Sequence, residues 1–205
     1  MIDDKTIVEK TYKLYSKYGI KSISVDEIAL VLGISKKTLY IHIKSRDELL
    51  RQVIEFSLTR FAAGLTQAIE KDKNVFMKLA LFNVYLIRNT RKMNPAFLFD
   101  LKKVNHEQYR QVNDFRTQKL YEIFKSIIQL GIEQDLFRGD LDLKYVYFNQ
   151  MHKVSENAYK VFPSYNEAVS KNTIFKLLLN DVVGLTTLKG HQEFEAISED
   201  LLQLL

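Results

Sequence analysis

Apolar residues recur with a helical period along nearly the whole chain. Over about residues 3–18, Ile7, Val8, Thr11, Leu14 and Tyr15 follow one another at the helical spacing of three or four positions along one face, which predicts an amphipathic first helix. The same period predicts further helices over about residues 46–70, 75–92, 95–103, 105–134, 143–162 and 167–188, and another over the last dozen. Only 7 glycines and 2 prolines interrupt the 205 residues, so an all-α protein is expected.

Residues 24–50 have a more specific pattern: a helix, a tight turn, a second short helix and the start of a third. Ala29 is small enough to let the second helix approach, and Gly33 accepts the positive φ that a tight interhelical turn demands. Four apolar residues are spaced to form one small shared core: Ile28, Leu32, Ile34 and Leu39. This arrangement is typical of a helix-turn-helix unit whose second helix enters the major groove of DNA.

Serines stand where each of these helices is expected to begin. Ser24 with Glu27, and Ser45 with Glu48, fit the S-x-x-E pattern of a capping box. Ser35 is a suitable N-cap for the helix that begins near residue 36. Three caps in register with the turn strengthen the helix-turn-helix interpretation.

The charge pattern agrees with DNA binding. Four basic side chains and no acidic one lie between residues 33 and 46: Lys36, Lys37, Lys44 and Arg46. The formal net charge of the whole chain is only +5, so the positive charge that would attract phosphates is local. The alternative is an ordinary solvated helix, which a short basic run taken alone usually indicates.

The same residues resemble the DNA-binding domain of the TetR family of bacterial transcriptional regulators. The family's motifs are matched at Tyr15 to Gly19, at the capping Ser24, at Gly33-Ile34-Ser35 and at 36–43, which reads KKTLYIHI against x-x-Thr/Ser-Leu/Ile-Tyr-x-His-Phe. Ile43 departs from the family's usual phenylalanine but keeps an apolar residue there. The resemblance is specific over residues 5–55 and only general beyond them, at 131–142 and 184–190.

The resemblance implies an N-terminal three-helix DNA-binding domain over residues 1–48. It also implies a helical-bundle domain over residues 49–205 that binds a ligand and mediates dimerisation. The expected function is sequence-specific transcriptional regulation, by a homodimeric repressor that a small-molecule effector releases from its operator. The alternative is a DNA-binding architectural or partner-recruiting protein with no effector.

The residues expected to contact DNA are Ser24, Ser35, Lys36, Lys37, Thr38, Tyr40, His42 and Lys44. Lys36 and Lys37 begin the second helix of the motif, where they can bind guanine edges or only phosphates. Thr38 can contact a thymine methyl group or a phosphate. Phosphate contacts by Tyr40, His42 and Lys44 are implied by the resemblance.

The predicted eighth and ninth helices, over about residues 143–162 and 167–188, are apolar on more than one face. A helix of that kind is buried on more than one side. These two helices are therefore expected to form a dimer interface, as the resemblance also implies, although a deep core within one chain would give the same pattern. A dimer would place two reading heads about 34–36 Å apart on a palindromic operator.

Aromatic residues of the C-terminal part are candidates for an effector pocket: Phe82, Tyr85, Phe99, Tyr109, Phe115, Tyr121 and Phe148. Rings would suit a lipophilic or planar ligand of unknown identity. A place in the hydrophobic core is the competing interpretation for most of them.

Other classes of protein are not supported by the sequence. The chain has no cysteine, so disulfides, thiolate metal sites and cysteine nucleophiles are excluded. A charged N-terminus and the lack of an apolar run of about 18 residues predict no secretory signal and no membrane span, and hence a soluble cytoplasmic protein. His152 and Glu156 make at most half a metal site. No catalytic residues, metal or cofactor are expected, and the protein is not expected to be an enzyme.

Overall fold

A computed structural model describes residues 2–154 and 179–204. Within that part the structure is helical, and its one pairing of extended backbone is an isolated bridge between Phe137 and Thr186. The helices are α1 (Asp4–Tyr18), α2 (Val25–Leu32), α3 (Lys36–His42), α4 (Arg46–Ile69), α5 (Val75–Lys92), α6 (Pro95–Val104), α7 (His106–Asp114), α8 (Leu120–Glu133), α9 (Leu143–Val154), α10 (Leu188–Ala196) and α11 (Ser198–Leu204). Residues 179–185 are also helical. The predicted all-α class is confirmed.

Two predicted helices differ from the observed ones. The helix expected over residues 105–134 contains a π-helical segment, Phe115–Lys119, between α7 and α8. The helix expected over residues 167–188 ends earlier, because Thr187 is the N-cap of α10 and its side chain accepts a hydrogen bond from the Gly190 N–H. A serine- or threonine-type cap starts a new helix, so the apolar period alone could not locate this break.

The chain forms two compact units, here called the head unit (Met1–Gly64 and Arg91–Thr117) and the body unit (Leu65–Thr90 and Gln118–Leu205). The boundary expected after residue 48 divides a DNA-binding domain from a domain for ligand binding and dimerisation. That division of function stays a prediction. Packing instead groups α6 and α7 with α1, α2 and α3.

The head unit has one hydrophobic core to which helices distant in sequence contribute. Its buried members include Ile7, Tyr15, Ile28, Leu39, Leu49, Val53, Phe97 and Leu101. Polar contacts attach α6 to α1: the Asn94 N–H donates to the Ser16 carbonyl at 2.8 Å, and the Asp100 carboxylate accepts from the Lys21 N–H at 2.9 Å. The helix-turn-helix is therefore held from behind by a segment about eighty residues away in sequence.

Aromatic rings fill much of the body unit. The Phe76 ring meets the rings of Phe137 and Phe194 edge-on, at centroid distances of 5.4 and 5.5 Å. Phe124 similarly contacts Phe82 and Tyr147, at 5.7 and 5.5 Å. Such pairs add about 0.5–1.5 kcal/mol beyond the area they bury, so ring packing is a main source of stability in this unit.

The loop after α8 and the start of α10 cross each other in the body unit. The Arg138 N–H donates to the Leu185 carbonyl at 2.9 Å, and the Thr187 N–H donates to the Leu136 carbonyl at 3.0 Å. Gly190 lies so close to Leu136 that an added Cβ would overlap its carbonyl group. Two segments with only a general likeness to the family in sequence, 131–142 and 184–190, thus contact each other.

Candidate nucleic-acid interface

The turn between α2 and α3 depends on Gly33. This residue has φ 71° and ψ 29°, a left-handed conformation, and its N–H donates to the Leu30 carbonyl at 3.0 Å. The Ile34 N–H then donates to the Ala29 carbonyl at 3.1 Å. These bonds satisfy the last carbonyl groups of α2 and turn the chain directly into α3.

Ser24 begins α2 with a complete capping box. Its Oγ accepts from the Glu27 N–H at 3.2 Å, and its own N–H donates to the Glu27 carboxylate at 2.6 Å. These hydrogen bonds from Ser24 favour the charged carboxylate, so they hold the pKa of Glu27 below its ordinary value. The Ser24 N–H is thus engaged within the protein, and the hydroxyl proton is the group it retains for a phosphate.

The second predicted capping box forms only in half. Ser45 Oγ accepts from the Glu48 N–H at 3.1 Å, as expected for an N-cap. The Glu48 carboxylate, however, accepts from Arg51 at 2.6 and 3.0 Å and from Gln52 at 3.0 Å. The hydrogen bond from Arg51 is also the main reason why the pKa of Glu48 is lowered. An arginine one turn further along a helix can compete for the glutamate, which the four-residue pattern does not take into account.

Ser35 is the N-cap of α3, as predicted. Its Oγ accepts from the Thr38 N–H at 3.0 Å and lies 2.8 Å from Thr38 Oγ1. The two hydroxyl groups therefore bind each other at the start of the recognition helix. Any hydrogen bond from Ser35 or Thr38 to DNA would therefore involve hydroxyl groups that already take part in the cap of α3.

The outer face of α3 is polar and aromatic with one apolar residue. Leu39 is fully buried and anchors the helix, whereas Lys37 and Tyr40 are exposed. Ile41, which was not predicted to face DNA, is 75% exposed on the same surface. Its position four residues after Lys37 is the signal that would have identified it, since residues at that spacing share one helix face. Exposed aliphatic side chains on this face can contact thymine methyl groups.

Two predicted DNA-binding residues contact carboxylates within the protein. Lys36 Nζ lies 3.0 Å from the Asp26 carboxylate of α2, and both side chains are more than half exposed. His42 Nδ1 lies 2.7 Å from Asp4 Oδ1, which joins the end of α3 to the start of α1. Exposed pairs are worth little, so a phosphate or base can replace Asp26 at Lys36.

Arg46 has a structural role rather than a place in the basic patch. Its Nη2 donates to the Ile20 carbonyl at 2.9 Å and to the Ile23 carbonyl at 3.0 Å. The start of α4 is thereby fixed to the segment that precedes α2. Of the four basic residues counted in the sequence, Lys37 and Lys44 are exposed cations outside the ion pairs found in the described part of the chain.

The seven aromatic residues predicted for an effector pocket do not share one location. Phe99, Tyr109 and Phe115 belong to the head unit, while the other four belong to the body unit: Phe82, Tyr85, Tyr121 and Phe148. Phe82 is fully buried in the core, whereas Phe99 and Phe148 are 59% and 68% exposed. An aromatic count cannot separate these environments, because rings serve equally in cores and at surfaces.

The described residues offer neither a metal site nor a membrane-spanning helix. They contain no group of three or more side chains placed to hold a metal ion. Glu156, the proposed partner of His152, lies outside the described residues. Among the described helices, none combines the length and the apolar character that spanning a membrane requires.

Comparison with known proteins agrees with this geometry. Residues 7–53 match the sequence model of the family described as "Bacterial regulatory proteins, tetR family". The chain is 24% identical over 186 residues to an uncharacterized HTH-type transcriptional regulator, YvaF, of Bacillus subtilis, covering 87% of this chain and 95% of that one. It is 26% identical over 137 residues to an HTH-type transcriptional regulator of Staphylococcus aureus, covering 67% and 68%.

The fold is shared with solved structures of low sequence identity. The crystal structure of a TetR-family transcriptional regulator from Cytophaga hutchinsonii superposes with a TM-score of 0.73 at 14% identity, over 90% of this chain and 94% of that one. The matched segment coincides with the turn, caps and core described above. The chain therefore carries the DNA-binding domain of the TetR family of bacterial transcriptional regulators.

Proposed function

We propose that this regulator is a homodimeric repressor that binds a palindromic DNA operator through α3 and leaves it when a small-molecule effector binds. The observation that carries the DNA-binding part is the outer face of α3, where Lys37 and Tyr40 are exposed while Leu39 anchors the helix in the core. A rigidly held helix with exposed donors is what base reading in the major groove requires.

The eight candidate residues fall into three roles. Lys37 contacts base edges. Lys36 does so as well, once a contact with DNA replaces its ion pair with Asp26. Tyr40, His42 and Lys44 contact phosphates and set the register of the helix. Ser24, Ser35 and Thr38 stabilise the helix starts, and their hydroxyl groups donate hydrogen bonds to nearby phosphates.

Homodimerisation is supported by apolar side chains that one chain leaves uncovered. Tyr145 and Phe148 on α9 are 67% and 68% exposed, and Val183 is 53% exposed. Exposed apolar groups on neighbouring turns are typical of an interface. Much of the proposed interface, including Tyr159, Phe162 and residues 167–178, lies outside the described residues.

An effector site in the body unit is supported by a buried polar pair. Gln150 donates a hydrogen bond to the Asn83 side chain, which in turn donates to the Leu79 carbonyl at 2.9 Å. Both amides are buried, and Asn83 follows the core residue Phe82 in sequence. Amide groups among rings can exchange partners with a ligand, which gives specificity in a mainly apolar pocket. The second candidate function, an architectural or partner-recruiting DNA-binding protein, is favoured by the close ring packing around Phe82 and Phe124.

The test is selection of bound sequences from a random duplex pool at roughly 150 mM salt, where non-specific binding is suppressed. The wild-type protein is expected to recover a palindrome, and the Lys36→Ala/Lys37→Ala variant is expected to lose it. A lack of any consensus, with affinity that vanishes as salt rises, would refute sequence-specific regulation.

Two single variants distinguish recognition of bases from contact with phosphates. Lys44→Ala should weaken binding to all sequences and reduce the slope of log affinity against log salt by about one. Lys37→Ala should instead change which bases are preferred, at a cost of about 1–3 kcal/mol at its position. Equal losses for both variants on every site would contradict the assignment.

A further inference from the structure

The head unit contains an open pocket that the DNA-binding role does not use. Its volume is about 510 Å³. The wall is formed by Tyr12, Lys13, Ser16, Lys17, Arg60, Lys92, Met93, Asn94 and Pro95. These residues come from the second half of α1, the middle of α4, the end of α5 and the start of α6, and all belong to the head unit.

Charge is the most distinctive property of this pocket. Four of the lining side chains are cationic, namely Lys13, Lys17, Arg60 and Lys92, and no acidic residue is among those that line it in the described part of the chain. Like charges gathered in a concave surface raise the local potential and attract anions. A guanidinium group with lysines around it suits phosphoryl or carboxylate oxygens, since arginine can bind two oxygens at once.

The uncharged wall supplies further contacts. Ser16 Oγ is buried and has no hydrogen-bond partner among the described residues. A buried hydroxyl without a partner is costly, and by rotating it can donate to an anionic oxygen. Tyr12 is held by the edge of the Phe56 ring at 5.7 Å, with the Arg60 guanidinium 6.0 Å from its own ring centre. Tyr12 and Met93 offer an apolar surface for an organic group beside the cations.

The position of the pocket argues against the DNA backbone as its occupant. Asp4, at the start of α1, contacts His42 of the recognition helix, whereas the pocket residues of α1 begin eight residues later. At about 1.5 Å per residue this is at least roughly 12 Å along the helix. Arg60 lies fourteen residues beyond Arg46, or roughly 20 Å along α4 from the end that adjoins α3. A concave site with this separation suits a small molecule better than a duplex.

We propose that this pocket binds a small organic anion that carries two or more negative charges, such as a compound with a polyphosphate or polycarboxylate group. Four cations exceed what one negative charge balances, and the volume exceeds that of a bare phosphate. The occupant would bridge α1, α4 and the start of α6, where Asn94 already joins α6 to the Ser16 and Lys17 carbonyls at 2.8 and 2.9 Å.

The test is calorimetric titration of the full chain with inorganic tripolyphosphate, ATP and citrate at roughly 150 mM salt, which screens weak surface binding. At least one probe is expected to bind at one site per chain. Lys13→Gln/Arg60→Gln should weaken that binding at least ten-fold, while Arg60→Lys retains most of it. Lys71→Gln/Lys73→Gln, which removes two exposed cations from a loop of the body unit, is the charge-matched control and should bind like the wild type.

Two outcomes would overturn the proposal. Equal weakening by the control variant, or no binding of any probe to a wild-type protein with normal helicity, would show that the pocket is only a basic surface. A reduction of the DNA-binding salt slope by about two in Lys13→Gln/Arg60→Gln, without loss of probe binding, would assign these cations to DNA. Because probe binding is measured without DNA, failure here leaves the repressor proposal untouched.

Discussion

Gly33 and Gly190 show how differently the two units use the same residue. Gly33 turns α2 into α3 with φ 71°, and nothing lies within 4 Å of the place where a Cβ would stand. Gly190 has no such backbone requirement, but a Cβ there would overlap the Leu136 carbonyl. Gly33 is thus needed for a local conformation, whereas Gly190 is needed for a contact between segments about fifty residues apart.

The largest expected effect comes from filling the space at Gly190. Gly190→Ala should lower the free energy of unfolding by about 3 kcal/mol or more, because a backbone carbonyl cannot move aside as a side chain can. Gly33→Ala should cost only about 1 kcal/mol, the price of a left-handed conformation for a residue with a Cβ. Urea unfolding followed by circular dichroism measures both.

The comparison fails if Gly33→Ala is the more damaging change to stability. Gly139→Ala is a suitable control, since nothing lies within 4 Å of its Cβ position either and its φ is not in the left-handed range. That variant should leave the unfolding midpoint nearly unchanged.

A smaller effect is expected from removing the side-chain N-cap of α2. Ser24→Ala removes the hydroxyl that accepts from Glu27, and loss of such a cap costs about 1 kcal/mol. It should also raise the pKa of Glu27 part of the way to its ordinary value, because the backbone N–H of residue 24, the larger cause of the lowered pKa, is kept and only the smaller contribution of the hydroxyl is lost. NMR titration of the Glu27 carboxyl carbon measures this directly.

The sign of the pH effect follows from the lowered pKa. A carboxyl whose pKa falls on folding stabilises the protein above its unfolded pKa of about 4.3, and this contribution disappears as the pH falls through the folded value. As the pH falls from about 4.3 through the folded pKa of Glu27, the wild type should therefore lose more stability than Ser24→Ala does. Ser22→Ala, two residues earlier and exposed, should behave like the wild type; an unchanged Glu27 pKa in Ser24→Ala would contradict the account.

The smallest effect concerns DNA affinity. Asp26→Asn should free Lys36, whose Nζ lies 3.0 Å from the Asp26 carboxylate, and should also remove a negative charge beside α3. Exposed pairs are worth about 0.2–1 kcal/mol, so DNA affinity at low salt should rise by roughly 1.4- to 5-fold. Fluorescence anisotropy with a labelled duplex measures the change.

Asp140→Asn is the matched control for this last variant. Asp140 forms an exposed pair with Arg138 at 3.5 Å in the body unit, so the same charge is removed from the unit that does not contain α3. An equal rise in affinity for both variants would mean that net charge alone is responsible. A fall in affinity for Asp26→Asn would mean that the pair positions Lys36 for DNA.

Much of the head unit could be predicted from the sequence because its signals are local. The caps at Ser24 and Ser35 and the turn at Gly33 each involve residues at most five apart. The apolar period also predicted most helix limits closely, as at α5, observed at Val75–Lys92. The predicted DNA contacts of the eight candidate residues stay predictions.

Other features of the head unit could not be predicted, because they depend on distant partners. The attachment of α6 behind the motif depends on Asp100 reaching Lys21, and the basic pocket depends on α1, α4 and α6 meeting. The removal of Arg46 from the basic patch depends on two carbonyl groups more than twenty residues away. None of these leaves a periodic or spaced signal in the sequence.

The sequence by itself determined the helical class, the caps and the helix-turn-helix, since hydrogen bonds and apolar contacts within one or two helical turns suffice for them. Only the tertiary structure decided which lysine of α3 is ion-paired, which aromatic rings are core, and why Gly190 must lack a side chain. The physical reason is the distance in sequence between the residues that interact. Caps and turns form between near neighbours, whereas burial, ion pairing and steric overlap depend on residues that only folding brings together.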